Sequence, residues 1–436
     1  MPWPELSEPE RMERVALIAP AEQAHAVLSS LGQSGQVELD AAGSGTPGEG
    51  RNGAGVDEVL ARMVRSGPVA ATTGWCPAAR VAGVARSLAP LGGSLVRLPT
   101  RPGSEPPTLI AGRGASGAFQ PLVDTYGTVP YRDVNPSVVA GLSYVLMFGM
   151  MFGDVGHGLL LLGLGLAIRW RRPARLSGWA PVSSLVIGCG AASALAGLLY
   201  GEAFGPTGLV PVLWTRPLDH PTTLLAVALV TGGLLLAVSY GLGTVNRWRE
   251  SGPVPTLVAL PGAAGAALYA GLALALIGVV YHVPVLAVTG AVVAGAGLVA
   301  GFGGYVVAAG GRGSGVLQGA VEMFDATLRI GSNTVSFSRL AAFGLTHAAL
   351  GQVIWAGTTA LWSRGPALWV ASATLFAVGN AAAFALEGLV AAVQALRLEY
   401  YEMFSRVFID EGRPFRPWQL ARRDEEQKEE ATCSPG

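Results

Sequence analysis

Residues 138–170 read VVAGLSYVLMFGMMFGDVGHGLLLLGLGLAIRW. A helix rises about 1.5 Å per residue and roughly 20 apolar residues cross the 30 Å hydrocarbon core of a bilayer, so this run is too long for one crossing. Gly153 and Asp154 interrupt it near the middle, and the stretch is therefore read as two helices that turn there. Asp154 and His157 are taken first as turn residues, because glycines surround both. A chain with such a run at its centre is a membrane protein if the pattern repeats.

It does repeat. Comparable runs cover about 181–200, 222–245, 256–280, 283–309, 333–362 and 367–405, giving about eight spans and a transmembrane domain over 136–412. The composition agrees: of 436 residues, 51% are hydrophobic and only 13% charged. Lys+Arg and Asp+Glu are each 29, a net charge of zero that gives no reason to expect a nucleic-acid partner. Cys76, Cys189 and Cys433 match no metal or disulfide spacing, no His/Cys/Asp/Glu motif has metal-site spacing, and no glycine-rich loop matches a nucleotide fold. The expectation is no metal, no cofactor and no catalytic site of the chain's own.

Before the membrane lies a polar region, 1–135, read as a small α/β domain. VALIAP (15–20), QVELD (36–40), VAATTGWC (69–76) and GSLVRLP (93–99) read as strands, and 21–35 and 78–92 as helices. DEVLARMVRSG (57–67) adds a short helix. Setting that helix aside, the order is βαβ twice over, a ferredoxin-like sheet with the low-complexity connector GSGTPGEGRNGAG (43–55) in its middle. The N-terminus has no basic and apolar leader, so residues 1 to about 135 are expected in the cytoplasm. Arginines then cluster in RWRRPAR (169–175), NRWRE (246–250), around Arg312 and in the tail 413–436, while the alternate loops are poor in them. An even span count with this bias places both termini in the cytoplasm.

Charges at membrane depth cost roughly 2.5–3.5 kcal/mol each on insertion scales, so each needs a reason. Arg339 follows Asn333 and Ser336 and precedes Thr346 and His347, all on or near one helical face. In the last span Asn380, Glu387, Gln394 and Tyr401 recur every seven residues, and Arg397 lies three after Gln394. Glu387 and Arg397 stand about 15 Å apart along the axis and cannot neutralise each other. Such groups suit an ion or proton pathway, although helix-to-helix pairing and snorkelling are the structural alternatives. Glu202 in YGEAFG reads as a carboxylate solvated at a membrane edge.

At these residues the chain resembles the membrane-embedded stator subunit of V-type and A-type rotary ATPases, subunit a or subunit I. The resemblance is carried by PPTLIAGRGASGAFQPLVDTYGTVPYRDVNPS (106–137), MFGMMFGDVGHGLLLL (147–162), YGEAFG (200–205), SNTVSFSRLAAFGLTHAAL (332–350) and LEGLVAAVQALRLEYYEMFSRVFIDEGRPFRPW (386–418). It implies that the last two spans are long, tilted and laid against a rotating proteolipid ring. It also implies that Arg339 and Arg397 drive deprotonation of the ring carboxylate, that His347 and Glu387 relay protons in one of two aqueous half-channels, and that Asp325 stands at the entrance to the seventh span. Asn333, Ser336, Thr346, Asn380, Gln394 and Tyr401 would line the channels. The implied partners are the proteolipid ring, the peripheral-stalk and central-stalk subunits and the lipid bilayer, in a prokaryotic cell membrane. The departure is near 41–56, where the family's coiled-coil arm is missing. A stand-alone secondary transporter and a non-conducting structural subunit are the competing readings.

Overall fold

The computed structural model describes residues 9–40, 55–100, 104–110, 114–171, 182–260, 262–308, 313–407 and 412–420. The connector near 41–56 falls almost wholly outside them. The chain divides into two compact units: Met1–Ala111 with Gly127–Tyr131 and Asp410–Gly436, and Gly112–Tyr126 with Arg132–Ile409.

The first unit runs β1 (Met12–Pro20), α1 (Ala24–Ser34), β2 (Glu38–Leu39), α2 (Val56–Arg62), β3 (Val64–Ser66), β4 (Val69–Pro77), α3 (Ala78–Leu88) and β5 (Ser94–Leu98). The sheet order is β2-β4-β1-β5, with β3 also on β4 and every pairing antiparallel. This is the expected β-α-β-β-α-β arrangement. β1 buries Val15, Leu17 and Ala19 at a period of two, α1 buries Val27, Leu28 and Leu31, and α3 buries Val81, Val84 and Leu88 at helical spacing, so both periodicities meet in one core. One expectation changes. The helix read over 57–67 stops at Arg62, and β3 follows, because Gly67 (φ +60°) and Pro68 form a two-residue hairpin loop onto β4.

A segment from the far end of the chain completes this unit. Trp418, 5% exposed, joins the core, and its N–H donates to the Val37 carbonyl at 2.9 Å. The Arg416 N–H donates to Glu38 at 2.7 Å, and the Arg413 guanidinium forms an ion pair with it at 2.9 Å. Burial raises the Glu38 pKa, against the opposing pull of the Arg416 N–H and the Arg413 cation. The Thr108 N–H reaches the Arg413 carbonyl at 2.7 Å, and the Phe415 N–H returns to Thr108 at 3.0 Å.

The second unit is helical: α4 (Gly114–Tyr126), α5 (Ser137–Met151), α6 (Val155–Arg171), α7 (Ser183–Tyr200), α8 (Pro221–Ser251), α9 (Pro253–Val258), α10 (Ala263–Val280), α11 (Pro284–Ala308), α12 (Gly313–Ser336), α13 (Ser338–Trp362) and α14 (Trp369–Leu398). A π-helical turn, Glu399–Phe404, and the short α15, Ser405–Val407, prolong α14. Among the described residues six helical stretches are long and apolar enough to cross a membrane, and the apolar α5 and α6 are shorter. The turn read at Gly153 and Asp154 is the break between those two. α6 and α7 cross closely: a Cβ on Gly158 would stand 2.4 Å from the Ala194 nitrogen, so only glycine allows the approach.

The span read as 333–362 lies at the end of a longer apolar stretch, Val316–Trp362. The helix breaks at Phe337, whose fully buried ring fills a notch at Gly232 of α8, where a Cβ would fall 2.1 Å from Phe337 Cγ. Local bonds tighten to three-residue spacing there, Phe337 N–H to Thr334 and Leu340 N–H to Phe337. The residues before the break form α12, which carries Glu322, Asp325 and Arg329.

Candidate functional site

The turn between α5 and α6 is held by one carboxylate. Asp154, fully buried, accepts the backbone N–H of His157 (2.9 Å) and Phe204 (3.0 Å) at Oδ1 and that of Gly205 (2.9 Å) at Oδ2. The first bond caps α6 and the others fasten the loop after α7 to it. That loop holds Phe204 and Gly205 in the left-handed region, φ 52° and +87°, and a Cβ on Gly205 would lie 2.7 Å from the Gly351 carbonyl of α13. The turn role read for Asp154 is thus visible in its bonds.

His157 has a different setting. It is 2% exposed, stacked on Phe152 with centroids 5.6 Å apart, and edge-on to Phe204 and His347 at 5.3 and 5.6 Å. Asp154 Oδ1 lies 3.7 Å from Nδ1 and the Asn380 carbonyl is a further polar neighbour, neither contact reaching full hydrogen-bond geometry. His347 of α13, 5% exposed, places Nδ1 2.5 Å from Glu387 Oε2 of α14. This pair, predicted from two separate spans, is brought together by the α13–α14 packing. Beside it a cleft of about 150 Å³ is lined by Phe343, Thr346, Leu386 and Met151. Thr346 Oγ1 bonds back to the Ala342 carbonyl at 2.9 Å.

Glu202 requires a correction. It is only 5% exposed, with its carbonyl accepting the Val155 N–H at 2.9 Å, so it is a buried carboxylate on the side of Asp154 and His347. The loop closes over α6, and a solvated edge residue read from local sequence becomes an interior one. Asn380 is buried and donates to the Phe376 carbonyl at 2.9 Å, while Gln394 Oε1 is buried without a hydrogen bond.

A second polar group sits at the α12–α13 break. Glu402 accepts from Ser336 Oγ at 2.5 Å and lies 3.9 Å from Arg339 Nη1. With its amide turned so that the nitrogen faces the acceptors, Asn333 donates to Glu402 at 3.2 Å and accepts from Arg406 at 3.2 Å, and Arg406 lies over the Tyr240 ring at 5.4 Å. Glu402 was not anticipated, nor was Glu399, fully buried against Ser143 Oγ at 2.9 Å. Their signal was present: LEYYEMFSR puts two carboxylates and an arginine at the end of an apolar helix.

Other expected members stand apart. Asp325 is on α12, away from the start of α13, and pairs with Arg329 at 2.6 Å one turn on. Tyr401 leaves the seven-residue stripe and is 71% exposed, because the π turn adds a residue to the helical repeat and rotates the face. Arg397 is exposed and makes no ion pair or hydrogen bond among the described residues. Ala341, Gly344 and Ala348 of α13 turn into the bundle, whereas Ala342, Thr346 and Ala349 share its open face.

Fold and site define a class: an integral, multi-pass membrane protein with a small α/β unit and two buried polar clusters on its penultimate and last long helices. Residues 60–204 match the model of the V-type ATPase 116kDa subunit family. The A-type ATP synthase subunit I of Aeropyrum pernix is 31% identical over 69% of this chain and 49% of its own length. The corresponding protein of Pyrococcus horikoshii is 27% identical over 70% and 46%. The human V-type proton ATPase 116 kDa subunit a 3 is 34% identical over 27% of this chain and 15% of its own. The chain belongs to this family, the membrane-embedded stator subunits a and I of rotary ATPases. It spans about half the length of the archaeal relatives it matches.

Proposed function

We propose that the chain conducts protons as the stator subunit of a two-sector rotary ATPase, with both termini in the cytoplasm and the open face of α13 and α14 turned to a proteolipid ring. The observation that carries this is the separation of two polar clusters along α13. Arg339 and His347 lie eight residues apart, about 12 Å along the axis, each with its own carboxylate partner, Glu402 or Glu387. Offset clusters are what two half-channels opening on opposite sides require.

In this reading the ring carboxylate travels protonated through lipid, where a bare charge is costly. On meeting Arg397, which is exposed, or Arg339, whose side chain is 31% exposed, it gives up its proton because a nearby cation stabilises the carboxylate. His347 and Glu387, at hydrogen-bond distance, pass protons between the cleft and the ring. Glu402 holds Arg339 between passages, so the arginine exchanges an internal partner for a moving one. Peripheral-stalk and central-stalk subunits complete the assembly.

Arg339→Ala is expected to abolish ATP-driven proton uptake in membrane vesicles while a small, very hydrophobic ring protein still co-purifies with the chain. Normal uptake by this variant refutes the mechanism. Transport by the chain alone in liposomes supports the secondary-transporter reading instead.

A further inference from the structure

We propose that Asp154, His157 and His347 form a binding site for a zinc-like divalent cation, with Glu387 as its outer partner. One ligand atom from each of the three buried residues lies within 4.8 Å of the others. They come from α6, the turn before it and α13, so no sequence spacing announces the set. Tetrahedral zinc at 2.0–2.1 Å from its ligands needs them roughly 3.3 Å apart, a contraction of at most about 1.5 Å.

Three independent features favour a cation there. His157 is 2% exposed inside a cage of Phe152, Phe204 and His347, and its ring nitrogens have the Asp154 carboxylate and the Asn380 carbonyl as neighbours, neither at full hydrogen-bond geometry. A poorly satisfied buried polar group is destabilising, and coordination removes that penalty. Glu387 grips His347 at Nδ1, which leaves Nε2 as the ligand; a carboxylate behind a metal-bound imidazole is the usual way its tautomer and direction are set. Asp154 uses three acceptor positions on backbone N–H groups, two at Oδ1 and one at Oδ2, so a lone pair remains at Oδ2.

The donor set selects the ion. Two imidazoles and one carboxylate suit zinc and its neighbours, with water in the fourth position, whereas magnesium and calcium need more oxygen ligands. Charge also balances: the dication meets two carboxylates, Asp154 as ligand and Glu387 behind His347. Binding would take His347 out of proton exchange. That inhibitory consequence rests on the proton-transport reading; the binding itself does not.

The test is Co²⁺ titration of the purified full chain in detergent, followed by Zn²⁺ displacement. Expected are the visible absorption bands of tetrahedral Co²⁺ at one ion per chain, bleached by Zn²⁺. His157→Phe keeps the ring stack and removes both nitrogens, and should weaken binding at least 100-fold. His157→Cys should retain the ion and add a thiolate-to-cobalt band. Absence of tetrahedral bands in the wild type, or unchanged Co²⁺ affinity in His157→Phe, overturns the site. Proton uptake in vesicles is measured first without metal, where failure counts against the transport reading alone. Zn²⁺ added to active vesicles should then slow the wild type at concentrations at least 100-fold below those affecting His157→Phe; equal sensitivity overturns the site's link to transport.

Discussion

Trp418→Ala tests whether the distant tail segment is part of the first unit's core. The Trp418 ring is 5% exposed and packed with the core of β1, α1 and α3. α1 leaves room for it with Gly32, where a Cβ would come within 3.1 Å of Trp418 Cζ3 and 2.7 Å of Leu420 Cγ. Truncating a buried Trp to Ala costs about 3–5 kcal/mol. The upper half of that range applies, since the neighbouring anchors at Val37, Glu38 and Thr108 hold the backbone and hinder collapse into the void. A domain of this size is stable by about 5–15 kcal/mol, so the loss is a large share. At roughly 4–8 °C per kcal/mol for a small domain, the first unit should melt on the order of 16–40 °C lower. Pulse proteolysis of the intact chain in detergent, following cleavage between β1 and β5 across a urea series, reads that unit separately from the helices. A loss under about 1 kcal/mol would refute the reasoning, and Trp418→Phe should recover most of the stability.

Asp133, 1% exposed in the segment before α5, is pushed up to about 8 by burial and then by the Glu250 carboxylate, against the pull of Arg247 and Arg249. Its folded-state value exceeds the unfolded one, about 3.9, so its contribution is full below about pH 4 and is lost as pH rises toward 8. Asp133→Asn should flatten the fall in thermal midpoint between pH 5 and 8; an unchanged slope counts against the assignment. The Cys76 thiol, fully buried, is pushed up to about 11 by desolvation, so at pH 8 it should resist iodoacetamide until the first unit unfolds. Rapid labelling of native Cys76, identified by peptide mapping, would contradict that burial. Gly205→Ala places a side chain at φ +87° and against the Gly351 carbonyl, and should destabilise the Asp154 turn by about 1–3 kcal/mol, read as a lower midpoint in detergent.

What was legible in the sequence follows short-range rules. The alternation in β1, the helical spacing in α1 and α3, the apolar runs and the break at Gly153 and Asp154 are each written within a few neighbouring residues, and each reappears as an element. The seven-residue recurrence of Asn380, Glu387 and Gln394 is a helical spacing that ends where the helix changes its own period at Glu399. The break at Phe337 was not legible because it is made by a notch in α8, more than 100 residues earlier in the chain. The same holds for Arg339 and Glu402, for Glu202, and for the Trp418 tail. Sequence alone therefore determined most of the helices and strands and most of the charged side chains that required an explanation. Tertiary structure decided which of those charges meet, because a contact across helices depends on crossing points and axial register that no local pattern encodes.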